Sequence, residues 1–473
     1  GGSGFDASAA AYGFTTGGAF AGGGSFDGNY QIKAQGGSGL GNGSPEAAAT
    51  AAWIDAGSTV SLTAGAKLTI NVAAVAGSAV DADADAAGVD GAGDVTLNVL
   101  GGNWTVVATG GRGTNGSAAA YGIRSGKSLT VAAVDPALRM TVTATGGSAY
   151  GNTDAWATGL SGDIIAITAP ALGGNWAISV TAGPGDSSAH AIGAWISAVP
   201  LDPDQSAETM TIAITSQLTA TVSVTVKGGA GSIAPQSTVG YGIRCGMNFI
   251  LSGGVADVFK LTVAVNGSSR YAPSATAWSY GICCENSGFS ISGPIAGVWS
   301  ISATGGNANQ DGSAGSTGFY LAGGMINMDL GNITSGFTMT VKAVGGSGGS
   351  VNATARGIHA ETISIAGFAG QLTVTAAGGR GTVSAEAHAY GLSGLTIDDG
   401  GLAGKIAVSA TGGSGLTAAA DAAGISAAGY FGSTVFSGAI EAAATGGKLS
   451  AGSGGDASGT AAGIEAGMFI SLG

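Results

Sequence analysis

One phrase recurs along the whole chain: small–x–small–x–Gly–aliphatic. Ala118-Ala119-Ala120-Tyr121-Gly122-Ile123, Ala387-His388-Ala389-Tyr390-Gly391-Leu392 and Ala420-Asp421-Ala422-Ala423-Gly424-Ile425 are three copies. Thirteen are present, ending on Phe14, Ile54, Val89, Ile123, Leu160, Ile196, Ile243, Ile282, Phe319, Ile358, Leu392, Ile425 and Ile464. The 450 residues from Phe14 to Ile464 hold twelve intervals, a mean period of 37.5 residues. Self-similarity at a period of about 20–50 residues marks a solenoid or array, in which one repeat is too small to bury its own apolar face.

Within the phrase, call the final apolar residue position 0. Position −3 is small in all thirteen copies, and position −5 is Ala in eleven, with Thr238 and Gly459 as the exceptions. Position −4, between them, accepts Trp156, Asp85 and His388. A period of two with one restricted face predicts a strand. The step from −3 to 0 is odd, so strict alternation would put these columns on opposite faces. Gly at −1 predicts a bulge or bend that turns both inward. Position +1 carries Asp90, Arg124, Arg244, Tyr320, His359 and Glu465 among others, and is expected to be solvated.

Two further strands follow each phrase. The first is short, as in Ser128-Leu129-Thr130-Val131. The second alternates cleanly, as in Met140-Thr141-Val142-Thr143-Ala144-Thr145, and usually ends in Gly-Gly, which suits a corner needing positive φ. A Gly/Ser/Asn loop then leads to the next phrase. Three short strands per repeat, each with one apolar column, predict an all-β parallel β-solenoid (β-helix) of about thirteen coils of ~37 residues running over 1–473 as a single elongated domain. The general preference for right-handed parallel crossovers makes it right-handed. The chain starts and ends in mid-repeat, which predicts a segment of a longer repeat protein.

Composition narrows the function classes. Charged residues are 9%, net charge is −13 and no basic run occurs, so no nucleic-acid partner is expected, since phosphate binding needs clustered Lys and Arg. The 45% hydrophobic content excludes a disordered Gly/Ser chain. No nucleophile elbow and no Cys/His metal spacing is present, so an enzyme is not expected.

The Ala-Thr-Gly-Gly-Ser and Ala-Tyr-Gly-Ile phrases, with Thr/Val strands between them, resemble repeats of bacterial autotransporter passengers and large adhesin-like surface proteins. The resemblance covers the whole chain, which departs from that pattern in carrying no terminal membrane β-barrel. It implies secretion, an extracellular or cell-surface (outer membrane-associated) location, and a stalk, adhesive or matrix role. The expected function is structural, as a rod, sheath or fibre component whose partners are other copies or further repeats of itself. The alternative is an adhesin passenger that binds cell-surface glycan or protein through one face.

Individual residues mark candidate sites. Asp81, Asp83 and Asp85 alternate and would project from one side of a strand, as a solvated acidic edge or a weak Ca²⁺ site; no other cofactor is expected. Tyr12, Tyr121, Tyr241, Tyr280 and Tyr390 share position −2 and could bind glycan, make a lateral contact or cover neighbouring glycines. The longest repeat carries Pro200, Asp202 and Asp204 in a predicted protruding loop. Cys245 and Cys284 occupy one position of adjacent repeats. Stacked rungs about 4.8 Å apart would make them two small core thiols, with a strained bridge as the alternative. Cys283 falls at an outward position.

Overall fold

The computed structural model describes residues 3–4, 6–39, 46–149, 153–168, 171–184, 190–198, 211–214, 217–229, 236–246, 248–267, 272–285, 289–321, 327–449, 456–466 and 469–472. Pro200, Asp202 and Asp204 lie outside these residues. The chain divides into two compact units, Gly1–Thr215 with Ala220–Val239, and Ser216–Thr219 with Gly240–Gly473. Strands make up 77% of the structure, there is no helix among the described residues, and the fold is a parallel β-solenoid of about 11 turns with a ~36-residue repeat. The last phrase strand, Ala457–Ala466, is followed by Phe469–Leu472 and by no third strand among the described residues.

Every phrase becomes a strand, and within each unit these strands stack in register as the first face. In the first unit, Phe14, Ile54, Val89, Ile123, Leu160 and Ile196 stack as one column. In the second, Ile282, Phe319, Ile358, Leu392, Ile425 and Ile464 do the same. The second face stacks Phe289, Met328, Ile363, Ile397 and Phe431. The third stacks Tyr30, Ile70, Trp104, Met140, Trp176 and Val222. Register is held because a slip of one residue would expose an entire apolar column. The expected Gly/Ser/Asn loop after the third strand is itself partly laddered: Ser38–Gly39, Ser78–Asp81, Arg112–Asn115 and Ser148–Ala149 form a short fourth sheet with Ser3–Gly4.

The glycines serve close approach more than unusual dihedrals. At the Gly-Gly corner, positive φ is not observed. A Cβ on Gly147 would instead lie 1.7 Å from the carbonyl oxygen of Gly111 one rung away. Position −1 obeys the same rule. Positions −3 and 0 are both buried, as at Ala120 and Ile123, so both point into the core as expected, but Gly122 between them makes no positive-φ bend. A Cβ on Gly122 would fall 2.5 Å from both the Gly159 oxygen and the Met140 Sδ. The large third-face residue fills the space the glycine leaves. Trp195 takes the −1 position in the coil whose third-face column holds Val222, a smaller residue than Trp104, Met140 or Trp176.

Positive φ appears at another corner, just before the third strand. Gly102, Gly174 and Gly297 have φ of 92°, 88° and 88°, where L side chains are disfavoured. Each stands two residues before a buried tryptophan. The indole Nε1 then donates to the carbonyl three residues back: Trp104 to Gly101 at 2.8 Å, Trp176 to Gly173 at 2.9 Å and Trp299 to Ala296 at 3.2 Å. The corner thus satisfies the one polar atom of each of these three indoles.

Candidate functional site

The chain turns from the first face to the second just after the phrase, and this turn is concave. A cavity lies there in each unit, of about 480 Å³ in the first and about 460 Å³ in the second. Position +1, expected to be solvated, lines this concavity. Ser161, Ser197, Cys283 and Ser393 are buried, and Arg124, Arg244 and His359 are half-buried. The expectation fails at those four buried positions and holds at Thr15 and Glu465, which are exposed; a strand position is solvated only where the next face turns away from it.

In the first unit the site is an ion-paired cluster. Arg124 Nε donates to Asp90 Oδ1 at 3.0 Å, Nη2 pairs with Asp90 Oδ2, and Nη1 lies 3.5 Å from Asp85 Oδ2. Its guanidinium stands 4.6 Å from the centre of the Tyr121 ring. Burial opposes its charge, but the bonds to Asp90 and the charges of Asp85 and Asp90 prevail and hold its pKa up. Burial raises Asp85 and Asp55 above the usual carboxylate range. The three alternating aspartates are not one ligand set: Asp81 accepts from Asn115 Nδ2 at 2.7 Å, Asp83 from the Ser117 amide at 2.8 Å, and Asp85 pairs with Arg124. Among the described residues, no group of three or more His, Cys, Asp or Glu is placed to hold a metal ion.

In the second unit the same face carries aromatics. Tyr241 stacks on Tyr280 with centroids 5.3 Å apart and planes at 13°. Tyr280 meets Tyr320 at 5.2 Å, and Tyr320 stacks on His359 at 5.5 Å and 17°. Arg244 lies over Tyr241 at 5.1 Å, and its Nε donates to Glu285 Oε1 at 2.8 Å. Burial pushes the Tyr241 and Tyr280 hydroxyls up, so both rings stay neutral. His359 Nδ1 lies 2.8 Å from Ser393 Oγ. Burial first, and then the charge of Arg356, push the imidazole down to about 4. Tyr390 lies beneath Arg356 at 5.9 Å and beside the parallel ring of His388 at 6.5 Å. Tyr12 is 39% exposed on the first rung of its unit.

The structure therefore joins Tyr241 and Tyr280 in the second unit, to which Tyr12 and Tyr121 do not belong, and adds Tyr320, His359 and Arg356. The signal for these additions was present: Asp90 and Arg124, or Tyr320 and His359, occupy +1 in adjacent repeats, so register alone makes them neighbours.

Cys245 and Cys284 are joined in a disulfide between adjacent rungs, with Cα atoms 4.7 Å apart. This replaces the expected pair of stacked thiols: the separation of adjacent rungs lies within the range a bridge spans. Cys283, expected to point outward, is free and buried, and burial raises its thiol pKa far above the ordinary value.

Asp399 is a buried carboxylate that the sequence did not single out. It occupies a core column of the second face between Ile365 and Ser433. Oδ1 accepts from the Gly401 amide at 3.0 Å, while Oδ2 has no partner. Burial pushes its pKa up to about 6. A carboxyl raised above its unfolded value is protonated in both states below about pH 3, so there it has no effect on stability. As pH rises to about 6 the unfolded state ionises first, and stability falls. Asp399→Asn is expected to remove that fall, making the protein more stable at pH 7 by on the order of 2 kcal/mol and leaving stability at about pH 3 nearly unchanged. Denaturant melts at both pH values check this; an equal effect at both would exclude the titration.

Compared with known proteins, the chain matches no family model, no curated protein and no solved structure.

Proposed function

We propose that this chain is a structural repeat protein of the cell surface or extracellular space, working as part of a rod, sheath or fibre. The observation that carries this reading is the rung-on-rung stacking of three parallel strand columns within each unit, with register shifts confined to local bulges such as those at Ala21–Ser25, Ile295–Gly297 and Gly394–Thr396. Such ladders pair backbone groups rung to rung over a dry core of Ala, Val, Ile, Leu and Trp, so local opening exposes apolar surface on both neighbouring rungs. The Cys245–Cys284 bridge fits an oxidising compartment. Low charge density, at 9%, suits close lateral packing.

Electron microscopy of the purified chain over rising concentration tests this. Filaments or ordered lateral arrays are expected. Dispersed single particles at every concentration would count against a fibre or sheath role.

A further inference from the structure

The stacked aromatics of the second unit stop abruptly. Along the +1 column, Tyr320 is followed by His359, then by Ser393 and Ser426. One face of the imidazole is covered by Tyr320. On its other side two successive rungs offer only hydroxymethyl groups, and the cavity of about 460 Å³ lies there. At about 4.8 Å per rung, two rungs leave room for one ring continuing the stack. Tyr390, Arg356 and Glu361 also line this notch.

Arg356 differs from the other arginines of the phrase strands. Arg124 is paired with two carboxylates and Arg244 with Glu285. Arg356 has no carboxylate partner among the described residues, although the chain carries a net charge of −13. A half-buried guanidinium with no ion-pair partner among the described residues, beside a ring face and the Ser426 hydroxyl, is a set of groups suited to a ring that carries a carboxylate.

We infer that the notch bounded by His359, Arg356, Tyr390, Ser393 and Ser426 binds a hexuronic acid residue of an acidic glycan. A pyranose with its substituents near the ring plane presents C–H groups to the negative face of the imidazole, which remains neutral at physiological pH. Arg356 matches the planar sugar carboxylate bidentately, and Ser426 meets a ring hydroxyl, while Ser393 Oγ stays paired with His359 Nδ1 and fixes the imidazole. This inference holds whether or not the chain assembles into filaments.

Saturation-transfer NMR on the whole chain tests it, with methyl β-glucuronide and methyl β-glucoside as probes. Transfer to the glucuronide is expected, with the glucoside at least tenfold weaker. Arg356→Gln should weaken glucuronide binding at least tenfold and remove the preference. Ser426→Leu, which fills the notch from a half-exposed position, should abolish binding of both sugars with the circular dichroism melt unchanged. No transfer to the glucuronide, or transfer that neither variant alters, would overturn the inference.

Discussion

Replacing Gly357 by valine is expected to destabilise the second unit by about 3 kcal/mol or more, near the upper end for a single substitution. A Cβ at this position would lie 2.5 Å from the Gly391 carbonyl oxygen and 2.6 Å from Leu372 Cδ2. Neither contact can be relieved locally. The oxygen belongs to the ladder of the adjacent rung, and Leu372 is buried in the third-face column between Met339 and Ile406. Shortening Leu372 to alanine would free the side-chain contact but leave the backbone one, so the double variant Gly357→Ala/Leu372→Ala should not recover full stability. Thr373→Val, on the exposed side of the neighbouring strand, is the matched control and should fall within about 0.5 kcal/mol of the parent. Urea melts followed by far-ultraviolet circular dichroism would measure all three. A Gly357→Val melt indistinguishable from the parent would mean that the rungs are not packed this closely.

Trp299→Ala is expected to cost about 3–5 kcal/mol. Trp299 is 1% exposed and packs against Phe319 at 5.0 Å, Phe259 at 5.1 Å and Phe337 at 6.3 Å, rings contributed by three separate strands or corners. Removing it leaves a cavity that rigid neighbouring rungs cannot collapse into, and a fixed corner carbonyl at Ala296 without its donor. Trp299→Phe keeps most of the volume and loses only the indole bond, so it should cost much less, on the order of 1 kcal/mol beyond its packing change. If the two variants were equally destabilised, the hydrogen bond at the positive-φ corner would outweigh the burial of the ring, and the packing argument would fail.

The fold was legible because the phrase repeats with a constant internal spacing: −5, −3 and 0 occupy stacked positions along the first face of each unit, and the Val/Thr strands supply the other two faces. The concave site was less legible. A single repeat shows that Arg124 or His359 stands at +1, yet its surroundings depend on how sharply the chain turns back after the phrase, which no local periodicity encodes. The positive-φ corner was missed for a related reason. Gly-Gly-Asn-Trp occurs at 101–104 and at 173–176, but the conspicuous Gly-Gly pairs after the third strand drew the same dihedral expectation. Those pairs turn out to be selected by the carbonyl oxygen stacked beside them. Sequence does not decide the disulfide, because rung spacing permits both a bridge and free thiols.

Register over many rungs is the claim on which both the fold and the structural reading depend. Distances between paired spin labels on the exposed side of the third face measure it. Thr262, Ser300, Thr340, Thr373, Ala407 and Glu441 form one column in successive rungs. In a Cys283→Ala background, cysteine labels at 262 paired with 373, 407 and 441 should give distances of roughly 14, 19 and 24 Å, rising by about 4.8 Å for each rung. Distances that fail to rise with rung number, or that shorten between the fourth and fifth rungs, would contradict an in-register parallel solenoid.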